Sequence, residues 1–211
     1  MVRDYPVKRT NMTATAISTR TASDVNLHVG APGPAVATEA AALLNESLGS
    51  GFIRPSELAE LTAGHGGVLI RARNRPGQLF GAATARLLGR EDVNALQDLL
   101  SRAGVEAGLD GHRIGELKSI VVSPAARGMG LGTTMLAASL DFLKACGCRY
   151  VVSASWVSAD PQQSSLGMLE RAGFAQKAGG YLCPECGAEC VCAAIILVLP
   201  LEDWPVGPGG T

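Results

Sequence analysis

No charge of one sign dominates this chain: 18 Lys and Arg face 19 Asp and Glu in 211 residues, a formal net charge of −1. There is no basic field to hold a phosphate backbone, so nucleic acid is not an expected partner. Long hydrophobic runs are missing as well. No apolar stretch approaches the roughly 18 to 20 residues that cross a bilayer, so no membrane partner is expected either. The start, Met1 to Arg9, carries charges but lacks the apolar region and small-residue cleavage site of a secretory signal. Residues 1–12 therefore read as a disordered leader on a cytoplasmic protein. The Thr, Ser and Arg content up to Arg20 faintly resembles an organelle transit peptide, but Asp4 and the want of an apolar helical face argue against one. Internal repeats and low-complexity tracts are absent. Residues 201–211, including Trp204-Pro205-Val206-Gly207-Pro208-Gly209-Gly210-Thr211, hold too much Pro and Gly to pack and read as a flexible tail.

What is present suits one core. With 47% hydrophobic and 18% charged residues, a chain of this length buries enough apolar surface for a single domain. Thr13 to Arg20 reads as a strand. Pro34 to Leu48 reads as a helix, with Val36, Ala40, Leu43, Leu44 and Leu48 at helical spacing. Arg54-Pro55-Ser56-Glu57 opens a shorter helix through Leu61. A strand at Val68-Leu69-Ile70 turns at Asn74-Arg75-Pro76-Gly77 into a second from Leu79 to Leu87. A helical insert follows over Glu91 to Arg102, then a Gly-rich link from Gly104 to Gly111. Strands at Gly115 to Val122 and Arg149 to Ala154 enclose a helix over Thr133 to Cys146. A helix over Gln162 to Arg171 leads to a final hairpin of Phe174 to Lys177 and Ala193 to Leu199. This order predicts an α/β fold, a mixed central sheet with helices on both faces.

The most informative stretch is Ile120-Val121-Val122-Ser123-Pro124-Ala125-Ala126-Arg127-Gly128-Met129-Gly130-Leu131-Gly132-Thr133, an apolar strand entering a glycine-rich turn and then a helix. Glycines admit close backbone approach, and the first N–H groups of the helix point at an anion. A P-loop would place Lys before a Ser or Thr after the last glycine, and none stands there. A dinucleotide site would put a carboxylate at the end of the next strand, yet Tyr150-Val151-Val152-Ser153-Ala154 has none. The pattern Arg127-x-x-Gly130-x-Gly132 after Val121-Val122 resembles the acyl-CoA pyrophosphate loop of the GCN5-related N-acetyltransferase (GNAT) family. Gly115-Glu116-Leu117-Lys118-Ser119-Ile120-Val121-Val122 is similar to that family's fourth strand. Leu169-Glu170-Arg171-Ala172-Gly173-Phe174 is similar to its closing helix with a Gly-Phe stop.

The resemblance implies a GNAT fold over about residues 13–200, with fourth and fifth strands that splay to admit pantetheine. It makes acetyl-CoA the cosubstrate, held by Ile120, Val121, Val122, Arg127, Gly128, Met129, Gly130, Leu131, Gly132 and Thr133. Val121 and Val122 would face the thioester arm, and the Val122 N–H would donate to the thioester oxygen as charge develops, worth ~3 to 4 kcal/mol. Arg127 adds positive charge beside the pyrophosphate. Gln162 stands where relatives often place an Asn on the cofactor arm. Amine acylation also needs a base, because an alkyl ammonium cannot attack. Glu116 is the candidate; six residues before Val122, it shares that residue's face on a regular strand, although a bulge would break the parity. The alternative is a structural carboxylate paired with Lys118 or Arg113. His65 and His112 are substitutes. Leu169 replaces the Tyr that in many relatives protonates the leaving thiolate, leaving Ser164, Ser165, Tyr181 or water for that role.

Cys183-Pro184-Glu185-Cys186-Gly187-Ala188-Glu189-Cys190-Val191-Cys192 is a second signal. Its four thiols, as CxxC then CxC, suit a closed tetrahedral structural Zn²⁺ site, and the Cys-Pro-x-Cys-Gly turn resembles a zinc knuckle. An empty thiol cluster, a redox switch and an iron–sulfur cluster are the alternatives. Cys146 and Cys148 read as packing residues. The expected activity is transfer of acetyl, or another acyl group, from CoA to a primary amine on a small molecule or protein. An acyl-CoA sensor without turnover and a zinc-ribbon interaction module are the competing readings. A homodimer is left open, and the acceptor is not legible.

Overall fold

A computed structural model describes residues 25–63, 66–106, 108–109, 111–156, 164–180, 194–202 and 204. Its first strand, β1 (Val25–Gly30), alternates buried Val25 and Leu27 with exposed Asn26 and His28. That two-residue period escaped the sequence reading, which put the first strand at Thr13 to Arg20, outside the described residues. There follow α1 (Pro34–Leu48), α2 (Pro55–Thr62), β2 (Gly67–Asn74), β3 (Leu79–Leu87), α3 (Arg90–Arg102), β4 (Ile114–Val122), α4 (Leu131–Ala145), β5 (Tyr150–Trp156), α5 (Leu166–Arg171), β6 (Ala175–Gly180) and β7 (Ala194–Pro200).

Local chemistry starts and stops these elements. Pro34 and Pro55 sit at the first turns of α1 and α2, where a missing N–H costs nothing. The Glu57 carboxylate accepts the Arg54 backbone N–H at 2.8 Å, and Asp92 accepts that of Gly89 at 3.1 Å. Each satisfies a donor at its helix start. The β2–β3 turn closes through Gly77, at φ +91°, whose N–H bonds to Asn74 O at 2.9 Å.

The strands form one seven-stranded sheet in the order β1-β2-β3-β4-β5-β7-β6. Every neighbouring pair is antiparallel except β4–β5. On one face α4 buries Leu131, Met135, Leu136, Leu140 and Leu143 against Ile70, Ala83, Ala85 and Leu117, and Leu169 of α5 joins that core. On the other, Ala40, Ala41 and Leu44 of α1 and Leu58 of α2 cover Leu69, Ala82 and Val121, while Leu100 of α3 covers Ile114 and Val152. Gly115 brings α4 close to β4, since a Cβ there would stand 2.7 Å from Leu143 Cδ2. Among the described residues, no helix is long and apolar enough to cross a membrane.

Two irregularities in β4 position the site. Opposite β3, Thr84 pairs with Ser119 and Ala85 with Leu117, so Lys118 is an extra residue, a bulge. Opposite β5, the parallel pairing runs from Ile114–Tyr150 to Leu117–Ser153 and ends there, although both strands continue.

Candidate active site

The turn between β4 and α4 is built by glycine. Gly128 has φ +78° and Gly130, the N-cap of α4, has φ +75°. A side chain at either meets nothing within 4 Å, so the need for glycine is conformational rather than steric. The first bond of α4 runs from Thr134 N to Gly130 O at 3.0 Å. The N–H groups of Leu131, Gly132 and Thr133 thus lack helical acceptors and carry the positive end of the helix dipole. Arg127, Gly128, Met129, Gly130 and Thr133 are exposed around them. The Arg127 Nε lies 3.4 Å from Val122 O, which anchors the side chain at the turn. Just before the turn, the Ser123 hydroxyl is buried without a partner.

The same turn stands at the mouth of the gap between β4 and β5. Ser153 is buried where the pairing ends, and its Oγ donates to Leu117 O at 3.0 Å. This bond satisfies a carbonyl that the diverging strand no longer reaches. Beyond it lies a cleft of about 350 Å³, including its open mouth, lined by residues such as Phe52, Lys118, Ile120, Trp156 and Ser165. Ser123 N donates to Phe80 O of β3 at 2.8 Å. Successive amides of a strand alternate in direction, so the Val122 N–H is turned away from β3, towards the gap. The Val122 side chain packs on the α4 face. Val121 does not face the gap as expected: its side chain is buried beneath α1 and α2, which leaves only its main chain.

Glu116 and Val122 do not share a face. The Lys118 bulge shifts the parity, and Glu116 points to the α3 side, where its Oε2 accepts Arg86 Nε at 2.6 Å. Arg86 also reaches both carboxylate oxygens of Asp92 at 3.3 Å. Burial disfavours the Arg86 charge, but Glu116 and Asp92 outweigh it and hold the guanidinium above its usual pKa. Neither expected partner is the one used. Arg113 donates to Cys146 O at 2.7 Å, and the Lys118 ammonium lies 5.9 Å from the Phe52 ring centre. His112 stacks edge-on against Tyr150 at 5.5 Å, at the closed end of the β4–β5 pair. Leu169 is wholly buried in the core and offers no proton. The Ser155 and Ser165 hydroxyls meet at 3.1 Å beside the cleft, whereas Ser164 accepts Leu166 N at 3.2 Å. Gln162, His65, Tyr181 and Cys183, Cys186, Cys190 and Cys192 lie outside the described residues. Among the described residues no cluster of three or more His, Cys, Asp and Glu could hold a metal.

This arrangement finds a counterpart in a family model, described as the acetyltransferase (GNAT) family, which matches residues 39–174, more than half of the chain. The chain belongs to that family. It is accordingly a GNAT-type N-acetyltransferase, and the mixed sheet with helices on both faces is the GNAT fold. Among solved structures, the chain resembles the ribosomal-protein-S18-alanine N-acetyltransferase from Escherichia coli with TM-score 0.57 and 15% identity, covering 88% of this chain and 99% of that one. It resembles an acetyltransferase of GNAT family from Streptococcus pneumoniae with TM-score 0.56 and 16% identity, over 83% and 99% of the two chains. It also resembles yncA from Salmonella typhimurium, solved with its cofactor acetyl-CoA, with TM-score 0.56 and 16% identity over 84% and 95%. At these identities the likeness is one of fold. No curated protein matches the chain.

The sequence reading of this GNAT acetyltransferase missed Arg86, Phe52, Ser153 and Trp156. Phe52, Ser153 and Trp156 meet only in the folded cleft, and Arg86 reaches Glu116 only through the bulged register. Among the described residues Trp156 is, with Met129, an exposed large apolar residue, at 37%, a property that only the fold shows.

Proposed function

We propose that this acetyltransferase moves an acetyl group from acetyl-CoA to a primary amine by direct attack within a ternary complex. The observation that carries the reading is the end of β4–β5 pairing at Leu117 and Ser153, which opens a gap leading to the unbonded amides of Leu131, Gly132 and Thr133. The pyrophosphate sits on those amides with Arg127 beside it, and pantetheine lies along Ile120 to Val122. The buried, unpartnered Ser123 hydroxyl fits such an occupant, since a ligand polar atom would complete its bonding. Gln162 contributes to the cofactor arm.

The amine nitrogen attacks the thioester carbon, the C–S bond breaks, and the sulfur leaves with its electron pair. The Val122 N–H stabilises the oxyanion formed meanwhile. Glu116 takes the proton that the amine loses, through water, with its Oε1 free of the Arg86 bond to Oε2. A thiolate leaves readily, its parent pKa being about 8.5. Solvent, or the Ser155–Ser165 pair, protonates it without the Tyr that Leu169 displaces. The cysteine segment lies in sequence between β6 and β7, which pair directly. Four thiolates of Cys183, Cys186, Cys190 and Cys192 suit Zn²⁺, and the metal braces that hairpin as a structural site.

Calorimetry with acetyl-CoA and thiol release with a panel of primary amines test the reading. Binding with amine-dependent release is expected, and Glu116→Gln lowers kcat at least tenfold while leaving acetyl-CoA binding intact. Absence of binding refutes the proposal, and binding without release with any amine leaves an acyl-CoA sensor. Metal analysis is expected to return one zinc per chain; a metal-free protein with reactive Cys183 and Cys186 removes the zinc site.

A further inference from the structure

The proposed function carries the amine proton to Glu116 through water, and two hydroxyls stand on that route. Thr84 of β3 pairs with Ser119 of β4, and their side-chain oxygens lie 2.6 Å apart. Ala82 and Val121, two residues away on the same strands, are covered by α1, so both hydroxyls point to that side of the sheet. Past the bulge, Arg86 and Glu116 continue the row on the same side. Ser119 also lines the cleft, beside Ile120 and Trp156. Burial decides which of the two hydroxyls donates. Thr84 is wholly buried, and among the described residues its hydroxyl has no second partner. Were Ser119 the donor, the Thr84 O–H would be left buried without an acceptor, which is the costly arrangement. Thr84 therefore donates, and Ser119 accepts with one lone pair. Ser119, 6% exposed, keeps its own O–H and a second lone pair for whatever enters the cleft.

We infer that Ser119 is a further catalytic residue, which receives the acceptor amine in the cleft and hands its proton on towards Glu116, with Thr84 as its positioning residue. This rests on the acyl-transfer reading. The second lone pair of Ser119 accepts an amine N–H, which turns the nitrogen lone pair towards the thioester carbon. As the N–C bond forms and the C–S bond breaks, the sulfur leaves with its electron pair. The amine proton passes to Ser119 Oγ, while the Ser119 O–H proton passes to water and from there to the Glu116 carboxylate. Serine is neutral before and after, so the relay leaves no new charge on the serine. Ser119 and Glu116 are three residues apart on β4, at most about 10 Å of strand, which the two side chains and water span.

The experiment follows thiol release from acetyl-CoA with phenethylamine, leucine and spermidine, for the unaltered protein and for Ser119→Ala, Ser119→Thr, Thr84→Val and Thr84→Ser. Calorimetry with acetyl-CoA accompanies each. Ser119→Ala is expected to lower kcat/KM for the amine about tenfold or more, while acetyl-CoA affinity changes by less than about twofold. Ser119→Thr keeps the hydroxyl and restores most of the rate. Thr84→Val loses about threefold or more, because the serine is no longer held, and Thr84→Ser loses almost nothing. Rates in mixtures of light and heavy water, with the slowest amine used, give a readout that a structural role would not move. A curved dependence, from more than one proton in flight, is expected for the unaltered protein and a flatter one for Ser119→Ala. A Ser119→Ala protein that keeps its kcat/KM, or equal curvature in both proteins, overturns the inference while leaving acyl transfer standing. Should Ser119→Ala fail to fold or to bind acetyl-CoA, the Thr84 pair decides, and equal rates for Thr84→Val and Thr84→Ser overturn the inference. Release with none of the amines removes the acyl-transfer reading, and this inference with it.

Discussion

Replacing Gly130 with Ala tests the conformational argument for the turn at one atom. Gly130 holds φ +75° and ψ 1° as the N-cap of α4, and an added Cβ would touch nothing within 4 Å. The cost is therefore that of placing an L-residue in the left-handed region, about 1 kcal/mol. For a chain of this size, that lowers Tm by about 2 to 4 °C. If the turn escapes by returning to negative φ, stability recovers but the amides of Leu131, Gly132 and Thr133 rotate. Acetyl-CoA affinity then falls about fivefold or more, for ~1 kcal/mol of lost amide contact. Thermal unfolding with and without acetyl-CoA separates the two responses, because bound ligand raises Tm according to its affinity. Gly130→Asn retains more of both than Ala, since Asn tolerates this conformation. Gly132→Ala is the contrast: its Cβ meets Met168 Sδ at 3.2 Å, the far end of a flexible side chain, with no positive φ. Its effect on Tm is correspondingly smaller. A Gly130→Ala protein with unchanged Tm and an unchanged response to acetyl-CoA would refute the reasoning.

Arg127→Ala is expected to raise the acetyl-CoA KM about fivefold, since an exposed guanidinium contributes roughly 1 kcal/mol and is screened by salt. The same KM at low and high salt in both proteins would place Arg127 away from the pyrophosphate. Ser153→Ala removes a buried donor to Leu117 O and should cost about 1 to 2 kcal/mol in denaturant unfolding; no change would mean that water supplies the bond. Burial pushes the Cys148 thiol up to about 12, with Cys146 adding to the shift. The unfolded thiol ionises near ~8.5, so the folded state keeps more protons above that pH. This contribution is complete below about pH 8.5 and is lost as pH rises towards 12, with a slope of up to ~1.4 kcal/mol per pH unit. Unfolding measured from pH 8 to 10 should fall less steeply for Cys148→Ala, and equal slopes would contradict the burial account.

Much of the architecture was legible because it is local. The helix at Pro34–Leu48 has the boundaries that its spacing and its proline predict. The glycine turn announced its conformation, because a left-handed residue and a helix start need only neighbouring residues to be recognised. The helix α4 begins at Leu131, not Thr133, because the left-handed Gly130 serves directly as its cap. The closing helix begins, among the described residues, at Leu166 rather than Gln162. By contrast, β1 was missed because its alternation of Val25 and Leu27 with Asn26 and His28 is short and mildly polar.

The sequence by itself determined the family, the strand–turn–helix whose first three amides lack helical acceptors, and the Leu169 that stands in place of a customary proton donor. Each is written in adjacent residues. Only the tertiary structure decided where Glu116 points, because face depends on parity counted through the Lys118 bulge, and bulges arise from pairing with another strand. It likewise decided that Arg86 is the partner of Glu116 and that Phe52, Lys118 and Trp156 share a cleft. Those contacts join residues tens of positions apart, and no local rule fixes the register that brings them together.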